Sequence, residues 1–477
     1  MKPMRYFLLV LIFIGYQATF AQDSTLFVNM SITGSGFKGA TPFWQSANSD
    51  GTVPADQAQV VGQWSLYKVY NIHNPRKLQW SAGASLITSY SPETKANFFL
   101  TDLYQAVKLG PWELMVGQKR QNVGLSDSTM GLGGLAISRN ARPFPRIQIG
   151  LKDFQPIHLA NDFIAWKISI SEGLLGNSQI NYGPVSQVPN TYLHQKQVYF
   201  RLGIPESKWM FFLGMNHQAI WGGESEFWPK ENPSKWTAYK HMVTGTKYQH
   251  NIVGNHFGSF DLAFNIKTIP NLELLAYRNS VFSNGSIFKV NNLQDALTGI
   301  RVRFPKAPTH SKIQLKAITI EYLDLENQKS RFSNNESILY AEADYYNSYR
   351  YRRGWSYFGN SLGSPIIRTA AHSLPEFAGN LAQFTNNNLL KAIHLAVEAN
   401  ILQTHILAKS THSWNRGTYL APFSSTTPQW SGYLGLERSI PSLQSVSLNL
   451  GIVSDIGQLY GNNTSLILSV RKSGFLN

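Results

Sequence analysis

The sequence predicts an all-β protein, a transmembrane antiparallel β-barrel of the outer membrane with roughly 16–18 strands and long irregular loops. Three observations lead to that class. The chain opens with an export segment, apolar and polar residues alternate with a period of two from end to end, and rings are abundant while charges are few.

In the opening MKPMRYFLLVLIFIGYQATFAQDS, Lys2 and Arg5 precede an apolar stretch from Tyr6 to Ile14, and small residues follow around Thr19 and Ala21. This is the pattern of a secretory signal peptide, residues 1–21, cleaved after Ala21. A membrane-spanning helix would need about 20 apolar residues in a row, and no later stretch of the chain has them. Residues 22–477 therefore read as one domain, a barrel with extracellular and lumenal loops. The chain carries Trp 12, Tyr 22 and Phe 27, yet only 14% of it is charged, against about 25% in a typical soluble domain. Something other than water must cover part of its outside. Cysteine is absent, which excludes disulfides, zinc–thiolate sites and a thiol nucleophile. The formal net charge is +15, and +13 remains once Lys2 and Arg5 leave with the signal. A field of that sign favours polyanions: acidic polysaccharide, lipopolysaccharide phosphate or nucleic acid. Export makes nucleic acid the poorest fit.

The strands can be followed in order. Leu26, Val28, Met30 and Ile32 form one apolar side; Leu78, Trp80, Ala82, Ala84 and Leu86 form the next, opposite Gln79, Ser81, Gly83 and Ser85. Val198, Phe200 and Leu202 alternate with Tyr199 and Arg201, and the run Trp209, Phe211, Leu213, Met215 follows. Further along stand Phe260 to Ile266, then Ile300, Val302 and Phe304 against Arg301 and Arg303. Val446 to Ile452 and Leu466 to Val470 complete the series. Each reads as a strand with one apolar and one polar face, and no helical period of any length is visible. A soluble sandwich of this length would divide into domains joined by linkers, and no linker appears. In a membrane barrel the apolar face meets lipid and the Ser, Gly, Asn, Gln and Arg face meets a watery lumen. Trp64, Tyr67, Tyr90, Trp112, Trp166, Tyr277, Trp430 and Tyr433 are expected in the interfacial girdles.

Four segments lack the alternation: 41–54, 122–145, 217–236 and 327–365. Long irregular segments in a compact protein tend to be binding loops or plugs. Together, TPFWQSANSDG, the glycine-rich GQKRQNVGLSDSTMGLGGLAISRNARPFP, GMNHQAIWGG and YRYRRGWSYFGNSLGSP resemble the capsule assembly protein Wzi family in its Bacteroidetes-type form. They fall in the same order across nearly the whole mature chain. The resemblance implies an eighteen-stranded outer-membrane barrel that acts as a lectin for capsular or exopolysaccharide, with no enzymatic activity.

Candidate ligand-binding residues sit in the same loops. Arg350, Arg352 and Arg353 can pair bidentately with uronate or phosphate, while Tyr349, Trp355 and Tyr357 offer flat faces for sugar rings. The segment reads equally as a strand pair with lumenal arginines and interfacial rings. His217, Trp221 and Trp228 form a second candidate, beside Glu224 and Glu226. Carboxylates next to tryptophans also mark glycosidases, but two glutamates one residue apart in a Gly/Pro-rich loop do not define catalytic geometry. Arg120, Arg139 and Arg142, with Arg146, flank the glycine-rich segment from Gly117 to Pro145. This segment is expected to fold inward and occlude the lumen, or else to form a constriction balanced by Asp127, Asp153 and Asp162. GSGFKG at Gly34 lacks the helix of a dinucleotide site, and H-E-x-x-H does not occur, so no cofactor, metal or catalytic residue is expected. The expected partners are an anionic surface polysaccharide and the lipid and lipopolysaccharide of the outer membrane. The competing reading is a porin with a basic lumen for anionic solutes. Barrel contacts leave no sequence period, so the pattern assigns no oligomeric state.

Overall fold

Alternating faces become structure in the computed structural model, which describes residues 25–476 apart from 55–57, 72–76, 94, 159–160, 182–183, 268–270, 284–292, 306–311, 329–342, 378, 380–381 and 444. The signal peptide and most of NQKSRFSNNES lie outside the described residues. Eighteen antiparallel strands follow one another in chain order. The first nine are β1 (Leu26–Lys38), β2 (Gln59–Lys68), β3 (Leu78–Ser91), β4 (Lys95–Leu109), β5 (Trp112–Gln118), β6 (Arg146–Leu151), β7 (Ile164–Gln179), β8 (Gln187–Leu202) and β9 (Trp209–Trp221). The second nine are β10 (Asn255–Ile266), β11 (Glu273–Ser283), β12 (Ala296–Arg303), β13 (Ile313–Asp324), β14 (Leu390–Ile401), β15 (Thr404–Gly417), β16 (Pro422–Ser439), β17 (Val446–Gly457) and β18 (Asn463–Phe475). The last strand pairs with the first, Phe475 opposite Phe27 and Thr464 opposite Lys38, so the sheet closes and has no free edge.

Pleating sends successive side chains to opposite sides, and the two sides differ as the sequence requires. On β18, Leu468 is 53% exposed on the outer wall while Ser465 is fully buried on the inner one. Long connections such as 39–58, 119–145, 222–254 and 325–389 leave one end of the barrel, whereas 110–111, 203–208, 402–403 and both termini lie at the other. By the rule for outer-membrane barrels, the long loops face outside the cell and the short turns face the periplasm.

Two expectations need correction. Tyr67, Tyr277 and Tyr433 do not belong to a lipid-facing girdle: the Tyr67 hydroxyl donates to Asp102 at 2.7 Å and that of Tyr277 to Glu321 at 2.6 Å, and Tyr433 packs on the inner core. Their strand parity is that of the lumen face. A helix is also present, α3 (Lys235–Thr244), after two four-residue turns, α1 (Phe43–Ser46) and α2 (Glu224–Phe227). Ser234 caps α3 by accepting from the Thr237 N–H, and Gly245 ends it in the left-handed conformation. It buries only Ala238 and Met242, too few for a helical period to stand out. Among the described residues no helix is long and apolar enough to cross a membrane.

Outward leucines of β18 should respond to charge as lipid-facing residues do. We expect Leu468→Arg to lower barrel stability by about 2–4 kcal/mol in denaturant unfolding from lipid vesicles. Ser469→Arg, on the inner wall, should cost clearly less, and an equal cost would reverse the assigned faces.

Candidate functional site

A barrel of this strand number leaves an aqueous bore unless something fills it. Here the loops fill the outer mouth with a second apolar core. Phe43 and Trp44 from the first long loop, Leu132, Leu135 and Phe144 from the loop 119–145, and Tyr345, Tyr346 and Trp355 from the loop 325–389 are all buried together against Phe257 of β10. Gly363 permits the loops 119–145 and 325–389 to touch, since a Cβ there would stand 1.9 Å from the Leu135 carbonyl oxygen.

Inward-facing polar residues hold the loop 119–145 from several sides. The N–H of Leu132 donates to Glu321 on β13 at 2.6 Å and that of Leu135 to Asn279 on β11 at 2.8 Å. Gln218 on β9 donates to the Ala136 carbonyl at 2.7 Å, and Lys409 on β15 to that of Thr129 at 3.2 Å. His394 of β14 meets the Met130 carbonyl at 2.8 Å. Asp127 lies between Arg301, 3.5 Å away, and the Thr319 hydroxyl, which donates at 2.9 Å. Burial alone would raise the Asp127 carboxyl, but the Thr129 N–H, the Arg301 guanidinium and the hydroxyls of Thr129 and Thr319 hold it below its ordinary value. The loop is thus bonded to the wall from β9 round to β15.

Two of the constriction arginines are balanced by acids that the sequence pattern did not single out. Arg120 lies 3.0 Å from Asp50 and 3.6 Å from Asp102, and Arg139 also pairs with Asp50. Asp127 serves Arg301 instead, and Asp162 pairs with the exposed His158 at 2.8 Å.

The ring-rich stretch from Tyr345 divides in two. Trp355, with Tyr345, Tyr346 and Tyr351, is core, and Arg350 is 6% exposed with its guanidinium 4.9 Å from the Phe227 and Trp228 ring centres. Arg350 also donates to the Tyr349 hydroxyl at 2.6 Å. The backbone here docks on the top of β7, Asn181 N–H to the Arg350 carbonyl at 2.9 Å and Arg352 N–H to that of Gln179 at 3.0 Å. Tyr349 and Arg352 are exposed, and Arg353 and Tyr357 are half-buried.

Around those last residues a basic aromatic rim appears. The Arg142 guanidinium lies between two rings, 3.4 Å from the centre of Phe99 and 4.6 Å from that of Phe358. Phe358 is 63% exposed and stands edge-on to Tyr357 with centres 4.7 Å apart. Burial lifts the Tyr357 phenol above its ordinary value, and the nearby positive charges of Arg353 and Arg142 oppose that rise. Arg353 donates to the Leu175 carbonyl at 2.6 Å and Arg142 to that of Gly51 at 3.4 Å. Among the described residues neither guanidinium forms an ion pair. Phe358 lies in the segment YRYRRGWSYFGNSLGSP, and no feature of the sequence separates this exposed ring from the buried Trp355. Phe99 reaches the mouth through the register shift between Ser85 and Leu86, which no alternation pattern could reveal.

His217 and Trp221 are elsewhere. Both point to the outer wall of β9, where His217 meets His256 at 2.9 Å and Trp221 packs at a tilt against Tyr192 and Tyr239 beneath α3. They do not join the rim. Glu224 is buried, with its carboxylate accepting from the Gly222 N–H at 3.0 Å; burial raises it, and that N–H and Arg350 oppose the rise. Glu226 accepts from the Ser225 hydroxyl at the surface.

A closed eighteen-stranded barrel with a loop-filled mouth is an outer-membrane protein. The chain belongs to the capsule assembly protein Wzi family, whose model matches residues 34–439. Among solved structures it is similar to Wzi of Escherichia coli, described as a carbohydrate-binding β-barrel involved in group 1 capsule assembly. The TM-score is 0.53 at 14% identity over 94% of this chain and 84% of that one. OpdK of Pseudomonas aeruginosa aligns over 94% of this chain and 98% of its own at 8% identity and TM-score 0.48. OprD of that organism aligns over 97% of both chains at 9% identity and the same score. The likeness to the Escherichia coli protein, at 14% identity, establishes a shared fold and nothing finer. A search of curated protein sequences finds no match.

The bonded loop predicts low conductance for the purified protein in planar bilayers, far below that of an open barrel of equal strand number. Arg301→Ala leaves Asp127 buried without its guanidinium, a loss of about 3–5 kcal/mol, and should raise the frequency of channel openings. Porin-like currents from the unmodified chain would show that the loop does not seal the bore.

Proposed function

We propose that this protein is a non-enzymatic, lectin-like anchor that holds an anionic capsular or exopolysaccharide at the cell surface. One observation carries the reading: the exposed rim sets Arg142 and Arg353, both without ion pairs among the described residues, beside the ring faces of Phe358 and Tyr357, on top of a mouth that is otherwise packed. Guanidinium groups recognise uronate or phosphate, and rings stack on the apolar faces of sugars. Arg352 and Tyr349 extend the same surface. Weak contacts repeated along a polymer retain it without a tight monomer site, and no bond need be made or broken. The packed mouth argues against the porin alternative. The outer wall would sit in lipid, ringed by lipopolysaccharide, after removal of residues 1–21.

Arg142→Ala with Phe358→Ala, and separately Arg352→Ala with Arg353→Ala, should each weaken retention of an acidic polysaccharide by about tenfold or more. That factor corresponds to the loss of one charge-assisted contact. Heat-modifiable migration on gels checks that the barrel still folds, and incubation with polymer should release no reducing ends. Full retention by both folded double variants would remove the rim from the binding surface.

A further inference from the structure

Below the loops, the two sides of the bore are not alike. On one side the inward charges are matched: His405 lies 3.0 Å from Glu398, and Arg471 pairs with Glu437. On the other, β4, β6, the periplasmic turn after β6 and the first residue of the loop 119–145 gather Lys108, Arg146, Lys152 and Lys119, and among the described residues none of the four forms an ion pair. Register places Lys108 beside Glu113, and Tyr104 beside Gly117, which is next to Arg146.

Two rings lie among these cations. The Lys119 ammonium rests 4.5 Å from the centre of Tyr104, and that of Lys152 rests 4.7 Å from the centre of Tyr70, with Lys108 6.0 Å from the same ring. Arg146 is held by the Lys119 carbonyl at 2.9 Å and by Gln148 at 3.1 Å. Glu113, opposite Lys108, accepts from the Tyr70 hydroxyl at 2.8 Å. Ring faces position an ammonium but leave its charge uncompensated, and such contacts contribute only about 0.5–1 kcal/mol where water is near. Burial depresses the Lys119 ammonium, Arg146 and Lys152 add to that, and Glu113 and Asp102 counter it. Four cations are thus kept together with no carboxylate at ion-pair distance from any of them among the described residues. Tyr70, Tyr104, Lys108 and Lys119 are half-buried and Lys152 is exposed, so this wall borders open space, in contrast to the packed mouth above it.

We propose that this wall is a second binding site, inside the barrel and entered from the periplasm, for a carboxylate- or phosphate-bearing segment of glycan. It rests on the surface-anchor reading for the class of ligand, but on different residues. Lysines would leave the ring faces for the anion, freeing Tyr70 and Tyr104 to stack on sugar rings. A chain caught here and at the rim would meet the protein on both sides of its sealed mouth.

The test is calorimetric titration of the folded full-length protein in detergent with oligogalacturonate of about ten units, with a neutral malto-oligosaccharide as control. Lys119→Gln with Lys152→Gln should abolish one of two classes of site or weaken it by about tenfold or more. Glu113→Gln, which keeps an acceptor for Tyr70 but removes the acid, should tighten that class, an effect a merely structural role would not produce. Arg142→Ala with Phe358→Ala should spare it. If the rim variant loses all binding and the lysine variant none, the lumenal site is overturned and the rim stands; the opposite pattern overturns the rim and leaves the lumenal site. Binding that ignores both pairs, equal binding of the neutral glycan, or no binding of either oligogalacturonate or a phosphodiester-linked glycan at low salt would also overturn the proposal.

Discussion

Hydrocarbon offers no partner to a backbone N–H or C=O, so a sheet that crosses a membrane must close on itself. The pairing of β18 with β1 meets that demand, and the rest of the structure follows from it. Closing eighteen strands creates a bore, and the bore must conduct or be filled. Filling it repeats the first problem inside the barrel, because irregular loops carry backbone groups that no ladder satisfies. Asn279, Glu321 and Gln218 on the inner wall answer it by bonding the loop at Leu132, Leu135 and Ala136. The polar face that serves as a wet lining in a porin here serves as a set of sockets for a plug.

This division sorts the charges. Where loops meet the wall, acids and bases are paired, as in Asp50 with Arg120 and Arg139 or Asp127 with Arg301. Above the plug, Arg142 and Arg353 stand beside rings with no acid paired to them among the described residues; below it, Lys119 and Lys152 do the same. Cations paired with acids hold the fold, and cations set beside ring faces where they keep some exposure are, in the proposed reading, the ones available to an anion. In the proposed reading that distinction, more than the net charge, separates scaffold from binding surface.

The barrel was legible because its two solvents differ at every second residue, so β1, β3 and β18 could be read from parity alone. Parity also contained an answer that the loop reading overrode: the run Trp209, Phe211, Leu213, Met215 continues in step to His217, Ala219 and Trp221, which places the last three on the outer wall. The mouth was not legible, because a ring filling a core and a ring presented to sugar are the same residue in the sequence. Trp355 and Phe358 lie three positions apart in one stretch, yet the first is buried and the second exposed. Nor could sequence show that Asp50 would neutralise Arg120 and Arg139, since the pairing exists only after two distant loops fold into one bore.

Retention of polymer without transport or hydrolysis is the central claim, and the most direct measurement compares cell-attached with released polysaccharide in a strain lacking this gene and in its parent. The account predicts more polymer in the medium and less on the cell, with total synthesis unchanged and attachment restored by the intact gene. Unchanged attachment together with an unchanged total would contradict it.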